Sequence, residues 1–216
     1  MRGQPVRAVL FDWDGTLVDT AEASYRCYVK TFAEFNVPFD RTEFERSYSP
    51  DWYHTYACVG LPEEQWPAAD ARWLAWFSQE MIELVPGAHR ALEMLDEHGV
   101  MKAIVTSGSR DRVQRELVAH AMTGRFDHVV FGNDVAERKP HPAALQLCLN
   151  RLGIAAEEAA YVGDSPEDVL MARAGRVRAI AVRGSYPNVR ALEAAGPDLL
   201  TDDLRTAVEW ALSSRA

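Results

Sequence analysis

Short apolar segments alternate with helical patterns along most of this chain, and this alternation restricts the folds that it can adopt. The apolar segments are rich in β-prone residues and end in Gly, Ser or charged residues, which predicts strands. Their near-continuous apolar character is typical of strands that are covered on both faces. The predicted strands are residues 6–11, 101–106, 160–164 and 177–182, with a weaker one at 129–131.

Helices are predicted between these strands. In one of them Ala91, Leu92 and Leu95 recur at helical spacing before Gly99, a residue type that commonly ends a helix. Strands and helices in alternation predict an α/β fold with a Rossmann-like, doubly wound parallel sheet. The predicted helices are residues 88–98, 110–120, 142–152, 166–174 and 203–213.

The alternation stops between residues 20 and 84, where no strand is predicted. Apolar residues recur there at helical spacing over 21–35 and 68–84. Because 216 residues allow one core and a small insertion, we expect a core of residues 1–18 and 85–216 and an all-helical domain at 19–84. Four of the six tryptophans are expected to form the interior of that domain, namely Trp52, Trp66, Trp73 and Trp76.

Composition and charge exclude several classes of protein. A formal net charge of −9 argues against a broad nucleic-acid surface. No apolar run approaches the roughly 18 residues of a membrane span, and residues 1–5 are too short and polar to begin a secretory signal. Cys27, Cys58 and Cys148 lie far apart without a CxxC pair, which is typical of free thiols. We therefore expect a cytoplasmic protein without nucleic-acid or membrane partners.

Polar residues follow the predicted strands where each one ends. Asp12 and Asp14 come directly after the first strand, while Thr106 and Asp164 end two others. In an open parallel sheet, ligands bind beyond the carboxyl ends of the strands. These side chains are therefore expected on one rim, with Lys139 contributed by a loop.

The pair Asp12 and Asp14, followed by Gly15, also suggests two other interpretations. An EF-hand calcium loop needs Gly at position six and Glu at position twelve, whereas counting from Asp12 gives Leu17 and Ala23. The pair also follows a strand and not a helix, so this interpretation is rejected. Two exposed acids in an ordinary turn is the remaining alternative, and the other rim residues argue against it.

Four ordered segments resemble the haloacid dehalogenase superfamily, in its phosphoglycolate phosphatase and β-phosphoglucomutase-like branch. They are DWDGT at 12–16, VTSG at 105–108, KP at 139–140 and GDSPED at 163–168. The first is specific, and the order and spacing of all four strengthen the match, which covers nearly the whole chain. The helical insertion resembles the small cap domain of that family. The resemblance implies a Mg²⁺-dependent phosphatase that acts on small phosphorylated metabolites through an aspartyl-phosphate.

The resemblance also implies roles for the two acids of the first segment. Asp12 is the nucleophile, since an Asp nucleophile divides a slow hydrolysis into two displacements. Asp14 protonates the leaving alcohol and then deprotonates the attacking water. A halide leaving group needs no such proton, so the second acid argues against dehalogenase activity.

The remaining rim residues are implied to bind the phosphoryl group and the metal. Lys139 neutralises Asp12 and the phosphoryl oxygens, with an ordinary surface lysine as the alternative. Asp168 either reaches the metal through water or orients Lys139, although acids are also favoured in a first helical turn for their interaction with the helix dipole. The implied catalytic residues are Asp12, Asp14, Thr106 and Lys139. The implied phosphate ligands are Asp12, Thr106, Ser107, Gly108 and Lys139. The implied Mg²⁺ ligands are Asp12, the Asp14 carbonyl, Asp164 and Asp168.

Selection of the leaving group is expected from the cap, because the core accepts any phosphoryl group. None of the six histidines has a metal-binding spacing, and His141 is a weaker candidate for a substrate contact because it lies beside Lys139. The cap residues that are candidates for this selection are Arg46, Tyr48, Trp52, Tyr53 and His54. Ordinary packing or an exposed position on the surface explains these residues equally well. The hinges are expected at residues 19–20 and 84–87.

Three alternative functions remain open at this point. A sugar-phosphate mutase shares the layout, but that type tends to carry an acid where this chain has Gly163. A phosphonate hydrolase needs a cap lysine for a Schiff base, and Lys30 is the only lysine in the cap. A non-catalytic phospho-ligand-binding protein is the third, and the presence of every catalytic residue type argues against it.

Overall fold

The computed structural model describes residues 5–49 and 51–213. Residues 1–4, part of the N-terminal segment considered above, lie outside the described residues. The strands are β1 Ala8–Phe11, β2 Val18–Asp19, β3 Glu83–Leu84, β4 Met101–Val105, β5 His128–Val130, β6 Ala159–Gly163, β7 Arg178–Val182 and β8 Leu199–Thr201. The helices are α1 Ala21–Glu34, α2 Arg41–Ser47, α3 Trp52–Cys58, α4 Trp66–Phe77, α5 Ala88–Glu97, α6 Arg110–Ala119, α7 Ala143–Leu152, α8 Pro166–Ala174, α9 Val189–Ala194 and α10 Leu204–Ser213.

Six strands form one parallel sheet in the order β5-β4-β1-β6-β7-β8. All four residues of β1 are buried and face two separate apolar layers in alternation. Phe11 packs toward α5, α6 and α10, whereas Leu10 packs toward α7, α8 and α9. Helices therefore cover both faces of the sheet, which confirms the predicted doubly wound α/β fold.

The prediction that no strand lies between residues 20 and 84 is wrong. Val18 pairs with Leu84 in a two-stranded antiparallel ribbon, and the helix predicted at 68–84 is Trp66–Phe77. Met81, which contributed to the helical pattern, is 91 % exposed and lies in neither element. Strands of two residues are too short to show a period-2 pattern. The elements α9 and β8 were not predicted either, because each is too short to show a clear hydrophobic period.

Helices α1 to α4 lie between β2 and β3 and share an aromatic interior. Phe32, Phe44 and Tyr56 are fully buried there, and Tyr28 packs within 5.9 Å of the Trp73 ring, centroid to centroid. All four tryptophans of this region are only partly buried against these helices. The expectation that they form the interior is therefore confirmed only in part.

The structure also tests two expectations about the chain as a whole. The three cysteines are free, with Cys27 and Cys148 buried and Cys58 half-buried, as predicted. In the described part of the chain, no helix combines the length and apolar character needed to cross a membrane.

Candidate active site

The carboxyl ends of three neighbouring strands bring the predicted site residues together. Asp12 follows β1, Thr106 follows β4 and Asp164 follows β6, and all three are buried. The Asp12 amide donates a hydrogen bond to the Val162 carbonyl across the sheet (2.9 Å). The strand ladder thus continues to the first residue of the site, which fixes the position of Asp12 on the rim.

Lys139 is the cation of this site. Its ammonium group donates to an oxygen of Asp12 and to an oxygen of Asp168, both at 2.7 Å. It also donates to the Tyr161 hydroxyl at 2.8 Å, and its side chain is only 6 % exposed. All three hydrogen-bonding positions of the ammonium group are occupied, so a surface-lysine role is excluded. Tyr161 is a site residue that the apolar pattern of its strand concealed.

Three buried carboxylates lie close enough to hold a cation. Oxygens of Asp12, Asp164 and Asp168 all lie within 4.8 Å of one another. Asp164 accepts a hydrogen bond from the Thr16 hydroxyl (3.1 Å), and none of the salt bridges within the described residues includes it. Lys139 offsets one of the three negative charges, so this acidic cluster fits a divalent cation with oxygen ligands.

Burial and mutual repulsion change the pKa values in this cluster. Burial, together with the charges of Asp168 and Asp14, raises the pKa of Asp12 to about 7 despite the opposing charge of Lys139. Burial, followed by the charges of Asp168 and Asp12, raises the pKa of Asp164 well above its ordinary value. Burial acts to lower the pKa of Lys139, but Asp12 and Asp168 outweigh it, so this pKa is raised. These shifts indicate negative charge that the protein alone does not neutralise.

The first turn of α8 fixes Asp168 in this cluster. Ser165 caps the helix, its hydroxyl accepting from the Asp168 amide (3.2 Å) and donating to the Asp168 carboxylate (2.7 Å). The Ser165 amide also donates to that carboxylate at 3.1 Å. This reciprocal cap leaves the second Asp168 oxygen for Lys139. Asp168 therefore contacts Lys139 directly, as its expected role in orienting that lysine requires.

The segment after β4 is a tight loop. The Thr106 hydroxyl accepts a hydrogen bond from the Gly108 amide (2.9 Å), so that amide already has a partner. Gly132 donates to the Gly108 carbonyl (2.9 Å) and packs directly on Ser107. A Cβ atom on Gly132 would lie 2.1 Å from the Ser107 carbonyl oxygen. Gly132 therefore allows this close approach, a role that a lone Gly in the sequence did not indicate.

Asp14 is held by α6. Arg112, whose side chain is 8 % exposed, donates to both oxygens of Asp14, one of them at 2.8 Å. Arg112 also contacts Glu116 at 3.2 Å, and Glu116 accepts from the indole of Trp13 at 2.6 Å. The sequence analysis missed Arg112, because a charged residue in a helix most often faces solvent.

A cavity of about 330 Å³ extends from this rim to helices α1, α3 and α4. Of the cap candidates, Tyr48 and Trp52 line the cavity. Tyr53 instead donates to Asp70 (3.0 Å), and His54 lies 3.3 Å from the Cys58 sulfur. Arg46, the fifth cap candidate, pairs with Glu43, and His141, the separate candidate beside Lys139, accepts from the Ala143 amide. Neither residue lines the cavity.

Comparison with known proteins identifies the family. A family model described as haloacid dehalogenase-like hydrolase matches residues 9–182, which is most of the chain. The chain belongs to the haloacid dehalogenase-like hydrolases. The resemblance found in the sequence is thereby confirmed, and so is its implication that the protein is an enzyme of phosphatase type.

Individual relatives within the haloacid dehalogenase-like hydrolases cover almost all of this chain. Phosphoglycolate phosphatase 1 of Pseudomonas aeruginosa is 32 % identical over 92 % of this chain and 77 % of its own length. The pyrophosphatase PpaX of Bacillus velezensis is 31 % identical over 94 % and 95 %. The crystal structure of CbbY from Rhodobacter sphaeroides in complex with phosphate is 28 % identical over 96 % and 99 %, with a TM-score of 0.76.

Proposed function

We propose that this protein is a Mg²⁺-dependent phosphatase that hydrolyses small phosphorylated metabolites through an aspartyl-phosphate on Asp12. The observation that carries the proposal is the buried cluster of Asp12, Asp164 and Asp168 around Lys139. This cluster forms one end of a cavity of about 330 Å³, a size suited to a small ligand. The phosphatases and pyrophosphatases among the relatives support the same reaction class.

The proposed reaction has two displacements. In the first, an Asp12 oxygen bonds to phosphorus, the bond from phosphorus to the alcohol oxygen breaks, and Asp14 gives that oxygen a proton. In the second, water bonds to phosphorus while Asp14 takes its proton, and the bond to Asp12 breaks to release phosphate. Lys139, Thr106 and Ser107 bind the phosphoryl oxygens and keep phosphorus in line with Asp12.

Mg²⁺ would be held by the carboxylates of Asp12 and Asp164 and by the backbone carbonyl of Asp14. When bound, it supplies positive charge that offsets the repulsion between the Asp12 carboxylate and the phosphate dianion. Asp168 orients Lys139 through their 2.7 Å hydrogen bond. Gly15 allows the loop after β1 to pass Asp164, because a Cβ there would lie 2.2 Å from an Asp164 oxygen.

We further propose that residues 19–84 act as a cap that excludes water and selects the substrate. Support comes from the contacts between α1 and the core, where the Tyr186 hydroxyl lies 2.9 Å from those of Thr20 and Ser24. Tyr48 stacks on Tyr186 with ring centroids 4.3 Å apart. A cytoplasmic location stays a prediction that rests on the free cysteines and the composition.

Two rival activities fit the contacts less well. A Cβ on Gly163 would lie 2.5 Å from the Cβ of Asp168, so this backbone has no room for the acid that the mutase type tends to carry there. Lys30 pairs with Glu80 (3.3 Å), is 42 % exposed and does not line the cavity. It is therefore badly placed for the Schiff base of a phosphonate hydrolase.

The test is metal-dependent phosphate release from a panel of phosphorylated metabolites. Wild type and Asp12→Asn are assayed side by side, with and without Mg²⁺, and with EDTA-treated protein as the blank. We expect wild type to release phosphate only with Mg²⁺ and Asp12→Asn to lose at least about 10³-fold in kcat. The matched control is Asp111→Asn, which changes an exposed acid of α6 outside the cavity lining.

The outcomes separate the candidates. Phosphate release by wild type but not by Asp12→Asn supports the proposed nucleophile. Interconversion of sugar phosphates without phosphate release would instead show a mutase. A wild-type protein that is inert toward every monoester, pyrophosphate and sugar phosphate contradicts the proposed function.

A further inference from the structure

The wall that the cap contributes to the cavity is aromatic and carries negative but no positive charge. Five aromatic residues of the cap line the cavity, namely Tyr28, Tyr48, Trp52, Tyr56 and Trp73. Among the described residues of 19–84, Asp70 is the one charged side chain in the lining. Such a wall binds an apolar face of a ligand well.

The carboxylate of Asp70 is fixed in place by two tyrosines. The Tyr56 hydroxyl donates to one of its oxygens and the Tyr53 hydroxyl donates to the other, both at 3.0 Å. Two hydroxyl donors stabilise a carboxylate and leave it without an offsetting positive charge. An anionic group in this part of the cavity would be repelled by Asp70 and desolvated against aromatic rings.

The cap cations are all placed elsewhere. Each pairs with a glutamate, has a side chain at least 42 % exposed, and is absent from the lining. These residues are Arg26, Lys30, Arg41, Arg46 and Arg72. The cap therefore offers no cation for a second phosphate or a carboxylate of a substrate.

Two of the three core cations that line the cavity are committed to carboxylates. Lys139 is shared by Asp12 and Asp168, and Arg112 is paired with Asp14. Arg138 is exposed and lies over the Trp52 ring, 4.0 Å from its centroid. Because Arg138 is an exposed residue, we expect solvent to screen its charge and to weaken its attraction for an anion deeper in the cavity.

From this distribution of charge we infer that the enzyme selects phosphate monoesters whose leaving group has an apolar face and no negative charge. The inference rests on the proposed function and specifies its substrate class. The P. aeruginosa relative is named phosphoglycolate phosphatase, and glycolate is a leaving group that carries a carboxylate. The inferred substrates of this chain differ from phosphoglycolate in that their leaving group has no negative charge. Phosphoglycolate and sugar bisphosphates are therefore expected to be poor substrates.

The test compares 4-carbamoylphenyl phosphate with 4-carboxyphenyl phosphate, which are nearly isosteric and differ in the charge of the leaving group. The measured quantity is the ratio of their kcat/KM values. We expect wild type to prefer the carbamoyl ester by about tenfold or more. In Asp70→Asn the ratio is expected to shrink severalfold, because the repelling charge is removed. Comparing the two proteins cancels the intrinsic difference in reactivity of the esters.

Two further variants keep the test decisive. Glu45→Gln removes the same charge from an exposed cap position outside the lining, and is expected to keep the wild-type ratio. Arg138→Gln reports on the opposite hypothesis, that an anionic leaving group is recognised at the cavity rim. If Asp70→Asn fails to fold, the wild-type ratio and the Arg138→Gln ratio still decide.

The outcomes distinguish the inference from the function on which it rests. Equal or better turnover of the carboxy ester, lost in Arg138→Gln, overturns the inference and leaves the phosphatase activity intact. A wild-type preference for the carbamoyl ester that does not change in Asp70→Asn also overturns it. Failure to hydrolyse either ester, together with p-nitrophenyl phosphate and the metabolite panel, overturns both.

Discussion

Arg112 donates hydrogen bonds to both carboxylate oxygens of Asp14, which lies 98 positions earlier in the chain. The guanidinium is almost fully buried, and burial acts to lower its pKa, but Asp14 and Glu116 outweigh this and raise it. Arg112 is therefore a permanent cation on α6. Its planar fork fixes the direction of the proposed acid and base, which a single point charge does not do.

The substitution Arg112→Lys tests this positioning. Lysine keeps the positive charge but loses the bidentate geometry, so we expect kcat to fall about 10- to 100-fold while KM changes less than about threefold. Steady-state kinetics with an alkyl phosphate monoester measure both values. Arg115→Lys, an exposed position on the same helix, is the control and is expected to match wild type. A wild-type kcat in Arg112→Lys would contradict the positioning role.

The effect of Asp14→Asn on the reaction rate is expected to depend on the leaving group of the ester. An alkoxide needs a proton as it leaves, whereas p-nitrophenolate leaves without one. The rate of the first displacement should therefore fall only for the alkyl ester, by about 10²- to 10⁴-fold. The second displacement lacks its base with either ester. Rapid mixing with p-nitrophenyl phosphate should show a burst of one p-nitrophenol per enzyme, followed by slow turnover. Asp12→Asn is the control without a burst, and a burst with the alkyl ester in Asp14→Asn would refute the acid role.

The rim of the sheet was predictable because its residues interrupt apolar strands. Asp12 and Asp164 each end a buried run, and a carboxylate in that position needs a reason other than packing. Lys139 was found through its place in the chain relative to those strands. The structure adds the hydrogen bonds that fix it, and places the predicted Asp168 at its side.

Other site residues are invisible to sequence reasoning because their roles depend on three-dimensional contacts. Tyr161 has the apolar surroundings of any core strand residue, and only the fold brings its hydroxyl to Lys139. Arg112 has the pattern of a surface helix residue, and Gly132 that of a loop glycine. Asp70 was missed because the spacing of the cap predicts helices but not which helix face meets the core.

The burial of Asp12 in the acidic cluster predicts an unusual dependence of stability on pH in metal-free protein. Because folding raises the pKa of Asp12 from 3.8 to about 7, folding is favoured while Asp12 carries its proton. The contribution of protonated Asp12 to the free energy of unfolding is complete below about pH 4 and is lost as the pH rises through about 7. Since one pKa unit is worth about 1.4 kcal/mol, the loss is at most about 4 kcal/mol.

Urea unfolding of EDTA-treated protein between pH 4.5 and 7.5 measures this effect. Asp12→Asn cannot titrate at this position, so its free energy of unfolding should fall less than that of wild type over the same range. Added Mg²⁺ should stabilise wild type more at pH 7.5 than at pH 5, because the cation binds the ionised carboxylates. Parallel pH profiles for wild type and Asp12→Asn would show that burial does not shift this group.

The contact between Gly132 and Ser107 predicts that Gly132→Ala destabilises the protein. The added Cβ meets the backbone carbonyl of Ser107 at 2.1 Å, and neither backbone segment can move without disturbing the hydrogen bond between Gly132 and Gly108. We expect a loss of about 2 kcal/mol in the free energy of unfolding and a lower kcat, because Thr106 and Ser107 belong to the same loop. Gly175→Ala is the matched control. Its Cβ meets a side-chain methyl group of the buried Leu145 at 2.7 Å and no backbone atom that close, so urea unfolding should show a smaller loss than in Gly132→Ala. Equal losses in the two variants would argue against this explanation.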